Sequence, residues 1–209
     1  MFARSSTYRG DPTALDAGIA FVRDDVLPTI DSIHGCVGLS LMVDRESGDC
    51  IVTTAWRTAE TMKQSEEEMS SPRARLGEIL GGDARVEEWE IAAMHRDHAT
   101  PEGSCCRVTW LRTNHADVDR GITLYRTGVL PRLEEIDGFC SASLMVNREL
   151  GRACSTVSYE SRAALEGSRD EAWAIRDAGV REAGVDVLDA TELELVLAHL
   201  RVPSLAGGA

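Results

Sequence analysis

The sequence predicts an α+β fold in which two tandem ferredoxin-like β-α-β-β-α-β units form a barrel within one chain. Three observations lead there. First, the chain repeats itself: Val26-Leu27-Pro28 returns as Val129-Leu130-Pro131, and Leu41-Met42-Val43-Asp44-Arg45-Glu46 returns as Leu144-Met145-Val146-Asn147-Arg148-Glu149, both 103 residues later. Across residues 24–56 and 127–159 that offset gives 13 identities in 33 ungapped positions, several times what average composition produces. Second, the hydrophobic period changes in the same order in both copies. Third, a four-stranded sheet with two helices on one face leaves its other face bare, and that face must be buried. Two copies in one chain can cover each other.

Residues 2–9 and 105–112 read as extended. Asp11-Pro12 opens a helical stretch with apolar residues at Leu15, Ile19, Val22, Val26 and Ile30, matched by Val118, Ile122, Tyr125, Val129 and Leu133. Pro28 and Pro131 fall late in this pattern and are expected to kink or end it. After Gly35, the residues Val37, Leu39, Leu41 and Val43 alternate as one face of a strand. Residues 44–49 form a polar turn, and 51–56 return as the hairpin partner. A second helical region spans 58–80, with Ser71-Pro72 expected to split it and Gly81-Gly82 to stop it. Residues 84–94 form a last strand, and the second copy closes the same way through 186–200. The expected domains are 1–96 and 105–203, joined by a turn-rich linker at 97–104 and followed by a flexible tail at 204–209.

With 22 Lys and Arg against 35 Asp and Glu, the net charge is −13. That balance argues against nucleic acid or an anionic membrane as a partner, since both are bound through clustered cations. No apolar run approaches the roughly 20 residues a spanning helix needs. Met1-Phe2-Ala3-Arg4-Ser5-Ser6 lacks the apolar stretch of a secretory signal, so the expected location is cytoplasmic. The six cysteines include no Cys-x-x-Cys pair, which removes zinc-ribbon and thioredoxin-like readings and leaves them as reduced apolar filler. No His-x-x-x-His or His-Glu-x-x-His spacing lies in a predicted helix, so no dedicated metal site is expected. No Gly-x-Gly-x-x-Gly follows a strand, so no built-in dinucleotide site is indicated.

The run Gly35-Cys36-Val37-Gly38-Leu39-Ser40-Leu41-Met42-Val43-Asp44, then Gly48, then Thr53-Thr54-Ala55-Trp56-Arg57-Thr58-Ala59-Glu60, resembles the antibiotic biosynthesis monooxygenase domain. The second copy carries Gly138-Phe139, Leu144-Met145-Val146-Asn147, Gly151 and Tyr159-Glu160-Ser161. The resemblance covers nearly the whole chain as two copies and implies a dimeric α+β barrel, made here within one polypeptide. Its motifs mark a turn, a hairpin and a strand-to-helix junction; they do not specify chemistry. It implies a pocket between sheet and helices in each half, which in some members oxygenates an aromatic phenol to a quinone with dioxygen and no metal or flavin. On that implication there is no cofactor, and the partner is a small hydrophobic or aromatic ligand. The protein would be a monomeric pseudo-dimer or a homodimer. Such chemistry needs a substrate that loses a proton, a dry pocket, and fixed donors where charge develops.

The candidate catalytic residues are Trp56 and Tyr159 at strand ends and Arg4 and Arg107 on the first strands; Trp110, Cys36 and Cys140 are candidate binding residues. Each has a structural reading beside the functional one. Trp56 and Tyr159 suit core packing. A covered Arg4 or Arg107 must meet an anion or carbonyls, and an ion pair across the two halves would satisfy it. Arg45 and Arg148 lie in a polar turn, where a solvated charge is expected. The haem-degrading subgroup of the same fold places a His on the second helix; residues 58–80 and 161–183 contain none, which disfavours that mechanism. The alternative to an oxygenase is a non-catalytic small-molecule-binding or stress-related protein that retains the fold.

Overall fold

The structure, a computed structural model, describes residues 1–98 and 100–200, so the tail expected at 204–209 lies outside the described residues. The first copy runs β1 (Phe2–Arg9), α1 (Leu15–Phe21), α2 (Leu27–Ser32), β2 (Cys36–Val43), β3 (Asp49–Trp56), α3 (Ala59–Gln64), α4 (Glu66–Leu80) and β4 (Arg85–Arg96). The second runs β5 (Cys105–Arg112), α5 (Val118–Leu124), α6 (Leu130–Glu134), β6 (Phe139–Asn147), β7 (Arg152–Tyr159), α7 (Arg162–Gly167), α8 (Arg169–Ala183) and β8 (Asp186–Leu200). The strands hydrogen-bond in the order β1-β3-β2-β8-β5-β7-β6-β4, a closed barrel, as the predicted fold class requires. Among the described residues no helix is long and apolar enough to cross a membrane.

Contacts group into two compact units, one holding Met1–Trp89 with β8 from Glu194 onward, the other holding Glu90–Leu193. In the first unit β2 pairs antiparallel with β3 on one side and the end of β8 on the other, with Val43 opposite Glu194. In the second, β6 pairs with β7 and with the end of β4, with Val146 opposite Glu90. Each unit therefore completes its sheet with a strand end that belongs, in sequence, to the other copy. An arginine fastens each of these ends. Arg45 holds Glu194 at 2.7 Å and Asp16 of α1 at 2.8 Å, while Arg148 holds Glu90 at 2.6 Å and Asp119 of α5 at 2.9 Å. The two turn arginines are thus paired, although about half exposed.

One helix expectation, the break at Ser71-Pro72, needs correction, and of the two alternatives for Pro28 and Pro131, kinking or ending the helix, the second does not hold. Pro28 and Pro131 do not end their helices, which continue to Ser32 and Glu134. Each proline follows a π turn, Val22–Val26 or Tyr125–Val129. The widened turn accommodates a missing N–H and the ring that would crowd the preceding carbonyls. The second helical region breaks at Ser65, not at Ser71-Pro72, and its counterpart breaks at Ser168. Ser65 Oγ donates to the Met62 carbonyl at 2.7 Å and Ser168 Oγ to the Leu165 carbonyl at 2.8 Å, so a hydroxyl competes with the helical ladder there. Pro72 sits inside an unbroken α4.

The hairpin turns show why glycine recurs. Gly48 has φ +81°, and a Cβ there would stand 2.2 Å from the Gly10 carbonyl oxygen; at Gly151 it would stand 2.5 Å from that of Thr113. Both the left-handed backbone and the close approach exclude a side chain. These turns bring the start of the first helix of each unit against its hairpin. That sets the helix layer over the sheet, with the apolar residues between: Leu15, Val22, Leu41 and Trp56 in one core, Val118, Tyr125, Val157 and Tyr159 in the other.

Candidate functional site

The two-residue period of β5 places Arg107, Thr109 and Leu111 on one face and Cys106, Val108 and Trp110 on the other. On the first face, between sheet and helices of the second unit, lies a cavity of about 110 Å³. Ile122, Tyr125 and Val129 wall it from the first helical stretch, Leu144 and Val157 from the sheet, and Ala172, Gly179 and Ala183 from α8. Arg107, Thr109, Thr113, Ser155, Tyr159 and Arg176 are among its polar lining residues. The corresponding space in the first unit is about 30 Å³, lined by Arg4, Tyr8, Met69, Arg73 and Leu76 among others.

The repeat explains the difference residue by residue. At the offset of 103, Met69, Leu76 and Leu80 of α4 become Ala172, Gly179 and Ala183 of α8, and Tyr8 becomes Leu111. Positions 172, 179 and 183 are spaced by seven and four, so they share one helix face. Large side chains fill the first unit, and small ones on that same face leave the second open. Tyr8 closes its unit further: its hydroxyl donates to the Arg73 carbonyl at 3.1 Å.

Arg107 forms the polar edge of the larger cavity and is 6% exposed. Its Nε and Nη2 donate to Glu192 at 3.2 and 2.9 Å, Nη2 also donates to the Leu165 carbonyl at 3.0 Å, and Nη1 donates to the Tyr159 hydroxyl at 3.4 Å. Arg4 repeats the pattern with Glu88 at 2.7 Å, Glu66 at 3.0 Å and Ser65 Oγ at 3.2 Å. Each arginine is therefore paired within its own unit, not across the two halves as the structural reading had it. Burial pushes the Tyr159 phenol above its ordinary pKa, with hydrogen bonds to Ser168 and Arg107 opposing it only in part. Burial likewise raises Tyr125, whose hydroxyl meets Ser155 Oγ at 3.1 Å. Both phenols stay protonated at neutral pH, so they can donate hydrogen bonds but cannot act as bases.

Burial also works against the charge on Glu192, but hydrogen bonds from Arg169 and Arg107 outweigh it and hold the carboxyl below its ordinary value of 4.5. A folded-state pKa below the unfolded one contributes stability that is present above about pH 4.5 and is lost as pH falls through the folded value. The melting temperature is therefore expected to drop on acidification below that pH, less steeply in Glu192→Gln. Identical slopes in melts from pH 6 to 3 would refute this assignment.

Of the candidates read from sequence, the structure brings Arg107 and Tyr159 together at the cavity. Arg4 lines the smaller space in the other unit. Trp56 is fully buried in the first core, its Nε1 donating to Thr54 Oγ1 at 3.0 Å, and it does not line that space. Trp110 lies on the opposite face of β5 and does not line the cavity. Cys36 and Cys140 line neither cavity; their thiols face the carbonyls of Gly38 and Gly138. Burial pushes Cys140 up to about 11, so it carries no thiolate at neutral pH. Sequence reasoning missed Ser155, Glu192 and Arg176 and took Tyr125 as core alone. Among the described residues no group of three or more His, Cys, Asp and Glu is arranged to hold a metal ion.

No family model matches the sequence. Rv2557, an uncharacterized protein of Mycobacterium tuberculosis, is 51% identical over 98% of this chain and 92% of its own length. The chain belongs to the Rv2557 family. Rv2558 of the same organism is 50% identical over 98% of the chain and 87% of its own length. Among solved structures, a candidate monooxygenase of Fusobacterium nucleatum shares the fold at TM-score 0.69 and 11% identity, covering 99% of this chain and 95% of that one. An anthrone oxidase-like protein does so at 0.68 and 14%, covering 100% and 96%. A Listeria monocytogenes ferredoxin-fold protein related to antibiotic biosynthesis monooxygenases follows at 0.52 and 7%, covering 93% and 94%. Likeness at these identities is likeness of fold, and the Rv2557-family chain has the α+β barrel of the antibiotic biosynthesis monooxygenase type.

Proposed function

We propose that the second unit of this Rv2557-family chain is a small-molecule oxygenase site that takes a phenol or quinol and dioxygen, without metal or flavin. The observation that supports it is the apolar cavity with the Arg107–Tyr159 pair on its wall. About 110 Å³ suits one aromatic ring, since an engineered apolar cavity of roughly 150 Å³ takes up benzene. The aromatic substrate is therefore monocyclic. The apolar walls keep water from reactive oxygen intermediates, and Arg107 and Tyr159 direct hydrogen bonds at the oxygen where phenolate charge develops. Among the described residues no carboxylate or histidine lines the cavity, so the substrate has to ionise readily on its own. That same observation favours the second reading, a protein that binds such a molecule and does not turn it over. In either case we place the protein in the cytoplasm, with the two sequence copies at 1–96 and 105–203 as its domains, as a monomeric pseudo-dimer or a homodimer.

The experiment is oxygen uptake by the purified chain with hydroquinone and catechol, measured against the buffer rate. Under the oxygenase reading uptake exceeds buffer, and Tyr159→Phe lowers the excess at least tenfold, about 1.4 kcal/mol in barrier. A raised melting temperature without extra uptake selects the binding reading. Neither response to any one-ring phenol overturns the cavity as a ligand site.

A further inference from the structure

We infer that the ligand of the second unit's cavity is an aromatic acid whose carboxylate is met by Arg176; this rests on the cavity being a ligand site, as proposed above. The first unit serves as the internal reference. There Arg73 forks onto Glu66 at 2.7 and 3.0 Å, and Arg4 reaches both Glu66 and Glu88, so two arginines are balanced by two carboxylates. At the offset of 103, Arg4 becomes Arg107 and Arg73 becomes Arg176, but Glu66 becomes Arg169. The charge at that position is reversed.

Two consequences follow. Glu192, the acid that takes the place of Glu88, now receives Arg107 at 2.9 Å, Arg169 at 2.6 Å and Arg162 at 3.9 Å, three guanidinium groups on one carboxylate. Arg176 has lost its forked partner and turns to Asp177, its sequence neighbour, at 2.7 Å. Asp177 is half exposed, and Ala74 stands at its position in the other copy. Arg176 nonetheless lines the cavity. Glu166 and Asp170 act on Arg169, but both are exposed and neither lines the cavity. Two arginines line each space, but those of the first unit are balanced by Glu66 and Glu88, whereas in the second Arg107 shares Glu192 with Arg169 and Arg162. In a chain of net charge −13, that local excess of arginine over carboxylate beside the open cavity sets the two units apart.

The carboxylate of the Arg176–Asp177 pair is half open to water, and ion pairs of that kind add little to stability, so exchanging Asp177 for a ligand carboxylate costs little. A guanidinium recognises a carboxylate through two parallel hydrogen bonds, and the pair is strengthened beside an apolar wall. The exposed Trp173 lies within 5.8 Å of the Arg176 guanidinium carbon and 5.9 Å of that of Arg169, which steadies both groups. An aromatic ring enclosed by Leu111, Ala172 and Gly179 with its acid on Arg176 uses both features of the site.

The test is calorimetric titration of the full chain with benzoate and 4-hydroxybenzoate, against the neutral isosteres benzamide and 4-hydroxybenzamide. Each acid is expected to bind at least tenfold more tightly than its amide. Arg176→Gln should reduce that ratio to about twofold and leave amide affinity unchanged, whereas Arg73→Gln in the first unit should preserve the ratio. Equal affinity for acid and amide, or a ratio that survives Arg176→Gln, overturns the inference. Amide binding without acid binding overturns it while leaving the cavity as a ligand site. Binding of none of the four overturns both.

Discussion

Arg107→Ala is expected to lower the unfolding free energy by about 3 kcal/mol, near the low end of what breaking a buried pair costs. Arg4→Ala should cost visibly less. The two arginines are equally enclosed, at 6% and 3% exposed, but their acids are not: Glu192 is 19% exposed, whereas Glu88 and Glu66 are 41% and 48%. Water can take over Glu88 and Glu66 when Arg4 is lost. Glu192 keeps Arg169, which is why the loss stays toward the lower bound, but the Tyr159 hydroxyl loses its donor inside an apolar space. For a chain of this size about 3 kcal/mol is a fall of roughly 6–12 °C in melting temperature. Equal losses for the two variants in urea titrations would contradict the account of the two ion-pair clusters.

Exchanging residues between the copies should move the cavity from one unit to the other. Ala172→Met, which installs the side chain of Met69, is expected to weaken benzoate or phenol binding more than a hundredfold. By filling a void it should hold or raise stability by about 1 kcal/mol. The reverse change, Met69→Ala, opens space in a packed core and should cost about 2–5 kcal/mol. Ala172→Met is the cleaner test, because a Cβ at Gly179 would stand 2.8 Å from Val129 Cγ2 and force that side chain aside. If Ala172→Met binds one-ring ligands as the parent does, the ligand site is elsewhere.

Most of the fold was legible because its signals are local. Alternation in Val37-Leu39-Leu41-Val43, the apolar rhythm from Leu15 to Ile30 and the glycines at the turns each report on their own neighbourhood. The helix break at Ser65 was misplaced because proline is the stronger general rule, while a serine hydroxyl bonding to Met62 depends on local geometry. The exchange of strand ends could not be read, since alternation gives the face of a strand and says nothing about its partner. Parity along β5 already set Arg107 apart from Trp110. The cavity was also written in the sequence. Met69 against Ala172, Leu76 against Gly179 and Glu66 against Arg169 become visible once the repeat is extended through the second helices, where identity is low and the differences carry the meaning.

The exchanged strand ends have a consequence for dissecting the molecule. A fragment cut before residue 97 would lack the Glu194–Leu200 stretch, and β2 would present a bare row of amides and carbonyls along a nonpolar ribbon. Such a piece would be prone to polymerise through that margin. The complementary piece supplied in trans would be the natural remedy, which makes the two copies together, and neither alone, the smallest unit for genetic or biochemical study.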